Sequence, residues 1–151
     1  MQPLIVHLFE HPALRPAVAQ LIHDEFWTSV PGATAEGMAQ RLAHAARADS
    51  IPLCRVALHD GRAIGAVNLV DSDDDNHPEW SPWLAGMVVA ADWRGRGVGS
   101  LLVRTLLTDA RRLGVPRVYF GTDGPGFYER LGAVKHLQRG ADFWIMTLPL
   151  A

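Results

Sequence analysis

Apolar residues along the chain switch between two repeats, and each switch marks an element. Residues 4–9 read as a strand. Leu14, Val18, Leu21, Ile22, Glu25 and Phe26 then trace one face of a helix, with Pro16 tolerable in its first turn. Val30-Pro31-Gly32-Ala33 breaks the chain. Thr34 has the chemistry of an N-cap, Glu36 falls in the first turn, and Met38, Leu42 and Ala45 form the buried stripe of a second helix. Segments 51–58 and 63–70 read as strands joined by His59-Asp60-Gly61-Arg62, and Asp-Gly between apolar runs is a strong hairpin signal. A polar loop over 71–81 follows. An apolar, strand-like run over 83–91 leads into a helix over 100–113. That helix carries Val98, Leu101, Leu102, Leu106, Ala110 and Leu113 on one side, and Gly114 supplies its left-handed stop. A β-rich run over 115–120, a short helix and two strands over 133–137 and 143–148 complete the chain. The sequence shows no internal repeat and no linker.

Length and composition narrow the class. At 151 residues, 48% hydrophobic and 20% charged, the chain reads as one globular domain spanning 1–151 with a real core. A net charge of −2 provides no general field for nucleic acid or for an anionic membrane, so neither is an expected partner. No apolar run approaches the ~18 residues a membrane span needs. The N-terminal residues lack a basic segment and a cleavage pattern. The single cysteine, Cys54, excludes an intrachain disulfide and reads as a small buried hydrophobe. These features lead to the expectation of a cytoplasmic protein.

The chemistry concentrates at Arg94-Gly95-Arg96-Gly97-Val98-Gly99, where a strand turns into a helix. Glycine there lets backbone N–H groups crowd around a ligand that a Cβ would push away. The helix start adds unpaired donors and a positive dipole end, a combination suited to phosphate. The dinucleotide spacing G-x-G-x-x-G fails, because Ser100 stands three residues after Gly97. The P-loop fails too, having no Lys-Ser/Thr after the glycines. Arg94, Gly97 and Gly99 do fit Arg/Gln-x-x-Gly-x-Gly/Ala, and Gly126-Phe127-Tyr128-Glu129-Arg130-Leu131-Gly132 fits a Phe-Tyr-Glu-x-Leu-Gly box, with Ala133 where an aromatic would follow.

On these two motifs the chain resembles the GNAT family of N-acetyltransferases. The resemblance covers residues 81–148 well and the first 75 by element order alone. It implies an α/β (α+β) fold: a mixed, mostly antiparallel sheet with splayed central parallel strands and helices on both faces. It implies acetyl-CoA as acetyl donor, no metal, and direct attack by an amine in a ternary complex. The pyrophosphate would lie on the backbone of Arg94, Gly95, Arg96, Gly97, Val98, Gly99 and Ser100. The pantetheine amides would bond the open edge at Met87, Val88 and Val89. Tyr128 would be the general acid that protonates the departing thiolate, a modest step from a phenol of ~10 to a thiol of ~8.5. Many members carry an Asn after the second splayed strand. Here Gly121-Thr122-Asp123-Gly124-Pro125 stands in its place, and Thr122 or Asp123 would substitute weakly. Family members are often dimers, so a homodimer is an expectation.

The acceptor side is less specific. Glu79 leads as general base, because it lies just before the strand that reaches the site; His77 and Asp71 are alternatives, and a water chain would need no fixed base. Asp71, Asp73, Asp74 and Asp75 beside the cleft would attract a cation, with Trp80, Trp83 and Trp27 as an apolar or cation–π wall. That suits a small cationic primary amine. A metal site from His77, Asp73 and Asp75 is disfavoured, since nothing fixes their geometry. Two other readings stay open: acetylation of a protein or peptide amine, and a non-catalytic acyl-CoA-binding module.

Overall fold

The structure, a computed structural model, describes residues 2–150. Seven strands form one sheet: β1 (Leu4–His7), β2 (Leu53–His59), β3 (Arg62–Val70), β4 (Trp83–Val89), β5 (Arg117–Thr122), β6 (Val134–Gln138) and β7 (Trp144–Pro149). Their spatial order is β1-β2-β3-β4-β5-β7-β6. Only β4 and β5 run parallel; every other neighbouring pair is antiparallel. Four α-helices accompany them: α1 (Arg15–Phe26), α2 (Ala35–Leu42), α3 (Val98–Arg112) and α4 (Pro125–Glu129).

Local chemistry explains most boundaries. Thr34 caps α2, its Oγ1 accepting the Gly37 N–H at 3.0 Å. The β2–β3 hairpin turns through Asp60 (φ 49°) and Gly61 (φ 77°), both left-handed as a two-residue hairpin turn requires. Two expected boundaries move. The first strand stops at His7, because Leu8–Glu10 tightens into a 3-10 turn that buries Leu8. β5 runs on through Gly121 and Thr122, which pair with Ile145 and Trp144 of β7, so the strand expected to end at Phe120 continues two residues further. The glycine concealed that ladder from a propensity reading.

The sheet is covered on both faces. On one, Leu102, Leu106 and Ala110 of α3 meet Ile64, Val67, Val118 and Phe120. On the other, Val18 and Ile22 of α1 and Leu42 of α2 meet Val56, Ala66 and Val88. Cys54 is buried in this second cluster, and burial pushes its thiol up to about 12, so it is an inert hydrophobe. An ion pair moors α3 to the sheet: Arg55 of β2 donates from Nε and Nη2 to Asp109 at 2.7 and 2.9 Å.

One irregularity shapes the site. β4 and β5 share a single paired position, Trp83 opposite Tyr119, supported by the Tyr119 N–H on the Pro82 carbonyl at 3.0 Å. Beyond it the strands part. Across β4 the register against β3 slips between Ala66 and Asn68, and Gly86 there takes φ +59°. Such a bulge bends its strand and twists it away from its neighbour.

Candidate active site

The parting strands open a cleft of about 1220 Å³. One wall comes from Ile22, Phe26 and Trp27 of the α1 end and from Met38 and Leu42 of α2. Asn68, Gly86 and Met87 form its floor, and Gly121, Thr122, Phe127 and Tyr128 the far wall. The size and mixed lining suit a bound organic ligand.

At the open end of β4 lies the glycine turn. Gly95 and Gly97 take φ +75° and +83°, and Gly97 is the residue from which α3 starts. No side chain caps that helix start, and a Cβ on Gly97 would have nothing within 4 Å. With no side-chain cap, the first-turn N–H groups of α3 keep their donors unspent among the described residues. Arg94 braces the turn from behind. Its Nε donates to the Val89 carbonyl at 3.0 Å and its Nη2 to Glu25 of α1 at 3.2 Å. Arg96 lies over the Trp93 ring at 4.8 Å. Of the three β4 residues named for the pantetheine edge, Met87 borders the cleft and the Val88 side chain is buried against α1.

Tyr128 sits on α4 with its ring 4.3 Å from Phe120 and edge-on to Phe127 at 4.9 Å. It is 8% exposed and borders the cleft, and among the described residues its hydroxyl has no hydrogen-bond partner. Burial pushes the phenol up to about 12, so it stays protonated at neutral pH and holds its proton more tightly than a free phenol does. Nearby, the Thr122 Oγ1 accepts the Gly124 N–H at 2.9 Å, leaving its own O–H free toward the cleft.

On the acceptor side several expectations need correction. Asp73, Asp74 and Asp75 border the cleft, but Asp71 does not. Asp74 is no cation trap: it is buried, ion-paired to Arg139 of the β6–β7 turn, and accepts the Asn76 N–H at 2.9 Å. Asp73 at the cleft rim has its carboxyl raised, first by lost solvation and then by the Asp74 charge. Trp83 borders the cleft, whereas Trp80 does not. Trp80 stacks on His77 at 3.9 Å and on Tyr119 at 5.6 Å, and meets His136 edge-on at 4.7 Å. The loop after β3 thus lays its aromatic residues on the sheet face of β5 and β6. Glu79 follows it out. Its side chain is 61% exposed and contacts the His77 Nδ1 at 3.2 Å. A backbone N–H and His77 hold its carboxyl below the usual range, which weakens it as a base.

Sequence reading missed four contributors. Asn68 interrupts an apolar strand, and that lone polar position was the available signal. Arg41 of α2 borders the cleft, as do Arg139 and Phe143 of the β6–β7 turn. Phe143 lies so close to Gly121 that a Cβ there would stand 2.6 Å from its ring. Among the described residues no three His, Cys, Asp or Glu side chains gather to hold a metal, and no helix is long and apolar enough to cross a membrane.

A family model described as the Acetyltransferase (GNAT) family matches residues 19–133. No curated protein matches the chain in sequence. Among solved structures, an aminoglycoside 6'-N-acetyltransferase complexed with coenzyme A superposes with a TM-score of 0.76 at 16% identity, over 98% of this chain and 97% of that one. A ribosomal-protein-alanine N-acetyltransferase from Brucella melitensis gives 0.76 at 20% identity, over 97% and 99%. The yncA protein of Salmonella typhimurium, with its cofactor acetyl-CoA, gives 0.76 at 16% identity, over 100% and 95%.

Proposed function

Because the chain belongs to the GNAT acetyltransferase family, we propose that this acyltransferase moves an acetyl group from acetyl-CoA to a small cationic primary amine by direct attack in a ternary complex. The observation that carries the reading is a single continuous cleft. It runs from the unpaired stretch of β4, past Tyr128, to the carboxylates of Asp73 and Asp75.

The residues divide the work. Bound acetyl-CoA supplies a thioester carbon, to which the amine nitrogen bonds as the carbon–sulfur bond breaks. The left-handed glycines and the start of α3 present N–H donors suited to its pyrophosphate. The unpaired edge of β4 offers backbone groups to its amides, and the Thr122 hydroxyl serves where the family's Asn would. Asp73 and Asp75 draw the ammonium form of the acceptor into the cleft. Since Glu79 stands away from the cleft, the ammonium proton leaves through water, with the raised Asp73 carboxyl at the cleft rim as a relay. The Tyr128 hydroxyl gives its proton to the departing sulfur and recovers one from solvent.

Cofactor binding is tested at Gly97. Its left-handed φ of +83° disfavours any side chain, and a Cβ there points at no protein atom, so Gly97→Val acts on backbone and ligand together. A folded Gly97→Val is expected to lose at least ~2 kcal/mol, more than ~30-fold, in acetyl-CoA affinity by calorimetry. Wild-type affinity would remove the turn from the cofactor site.

The acceptor class is tested at the rim. Replacing Asp73 and Asp75 with Asn should raise KM for cationic amines, and added salt should weaken the wild type in the same direction. Asp74 is left in place, since its loss would strand Arg139. Free-thiol release across polyamines, aminoglycosides and peptide N-termini gives the readout. An unchanged KM with every amine would leave the rim acids as solvated surface.

A further inference from the structure

We infer that Asn68 is a positioning residue that orients the acceptor amine. The inference rests on the N-acetyltransferase reading above and adds a residue to it. Asn68 lies in β3 between Val67 and Leu69, both fully buried. It is itself 8% exposed and borders the cleft. Among the described residues its side-chain amide makes no hydrogen bond. Its amide atoms are not sealed in the core but open onto the cleft, so they meet water in the free protein and remain available to a ligand. Its surroundings explain why no partner is available in the chain. Across the sheet it faces Cys54 on β2 and Ala85 on β4, and neither side chain offers a strong hydrogen bond. Its Nδ2 stands 2.9 Å from where a Cβ on Gly86 would be, and Ile22 packs over the same spot at 3.7 Å. Gly86 thus admits the amide to the bulge of β4, on the strand whose edge is open to the cofactor.

The chemistry of an amide suits this position. An attacking amine must be neutral. A carboxylate at this depth would favour the ammonium form and oppose deprotonation. The Asn68 Oδ1 accepts an N–H without adding charge, so it fixes the direction of the nitrogen lone pair and leaves the proton balance alone. The cleft therefore carries charge at its rim, on Asp73 and Asp75, and a neutral acceptor on its floor.

The test separates service to the fold from service to a ligand. Asn68→Leu and Asn68→Ala are compared with wild type in thermal unfolding without ligand, and then in steady-state turnover of the best amine found. At least one variant is expected to unfold within about 4 °C of the wild type, because the amide makes no bond within the fold. Both should lose about tenfold or more in kcat/KM for the amine, ~1.4 kcal/mol. The acetyl-CoA dissociation constant should stay within about twofold of wild type, the scatter ordinary for a site left intact. A fall beyond about 4 °C in both variants would show that the amide serves the fold and would overturn the inference. So would an unchanged kcat/KM for the amine. A wild type that binds acetyl-CoA yet acetylates no amine would instead contradict the acceptor reading, while the thermal comparison still decides whether the Asn68 amide is spare.

Discussion

Tyr128→Phe is expected to lower the single-turnover rate by about 10²–10⁴-fold, the usual worth of general acid catalysis. The ring contacts with Phe120 and Phe127 survive in phenylalanine, so the substitution tests the oxygen alone. Acetyl-CoA affinity should barely move, because the proton is needed only as sulfur departs. Single-turnover conditions matter, since slow product release would mask the loss in kcat. Burial has a second consequence for this phenol. Its native value near 12 lies above the ordinary 10, so the stability it contributes is complete below pH 10 and is lost as pH rises toward 12. Tyr128→Phe should therefore resist alkaline unfolding in that window better than wild type. A single-turnover rate within about twofold of wild type would take Tyr128 out of the mechanism and leave it a packing residue against Phe120 and Phe127.

Asp109→Ala should cost about 3–5 kcal/mol of folding stability in urea titration, the usual price of stranding one half of a buried ion pair. The Asp109 side chain is 5% exposed and takes both Arg55 bonds, with Arg112 a further 3.4 Å contact. Removing it leaves the Arg55 guanidinium without its counterion between β2 and α3. Burial alone would raise the Asp109 carboxyl, but the hydrogen bonds and charge of Arg55 outweigh it and hold the group below its ordinary value. A depressed carboxyl contributes stability that is present above the unfolded value near 4 and lost as pH falls through the lower native one. Acid sensitivity in that range should thus be weaker in the variant. Replacing both partners with apolar residues should recover much of the loss. A cost under about 1 kcal/mol would mean that the pair is effectively solvated and does not moor α3.

The parts legible in the sequence were those ruled by local chemistry. Asp60-Gly61 forms its turn because both residues tolerate φ > 0, and Thr34 caps α2 whatever lies around it. The glycine turn was legible for the same reason, since Gly95 and Gly97 take φ > 0 there. Trp80 and Glu79 were misplaced because nothing local sets the course of a polar loop. Its path depends on Tyr119 and His136, which are distant in sequence and provide the surface on which Trp80 stacks. Asp74 was misread because its partner Arg139 lies 65 positions away. Asn68 was passed over because one polar residue in a strand looks like an ordinary alternation until its lack of partners is seen in space.

The lone pairing of Trp83 with Tyr119 has a directional consequence. It draws the two strands together at one end, while the other end opens beside the glycine turn. Trp83 itself borders the cleft, which continues to Asp73 and Asp75, so the pairing narrows the gap between the strands without ending the cleft. The direction in which the two strands part is thus a property of the backbone, set where the β4 bulge at Gly86 turns the strand away.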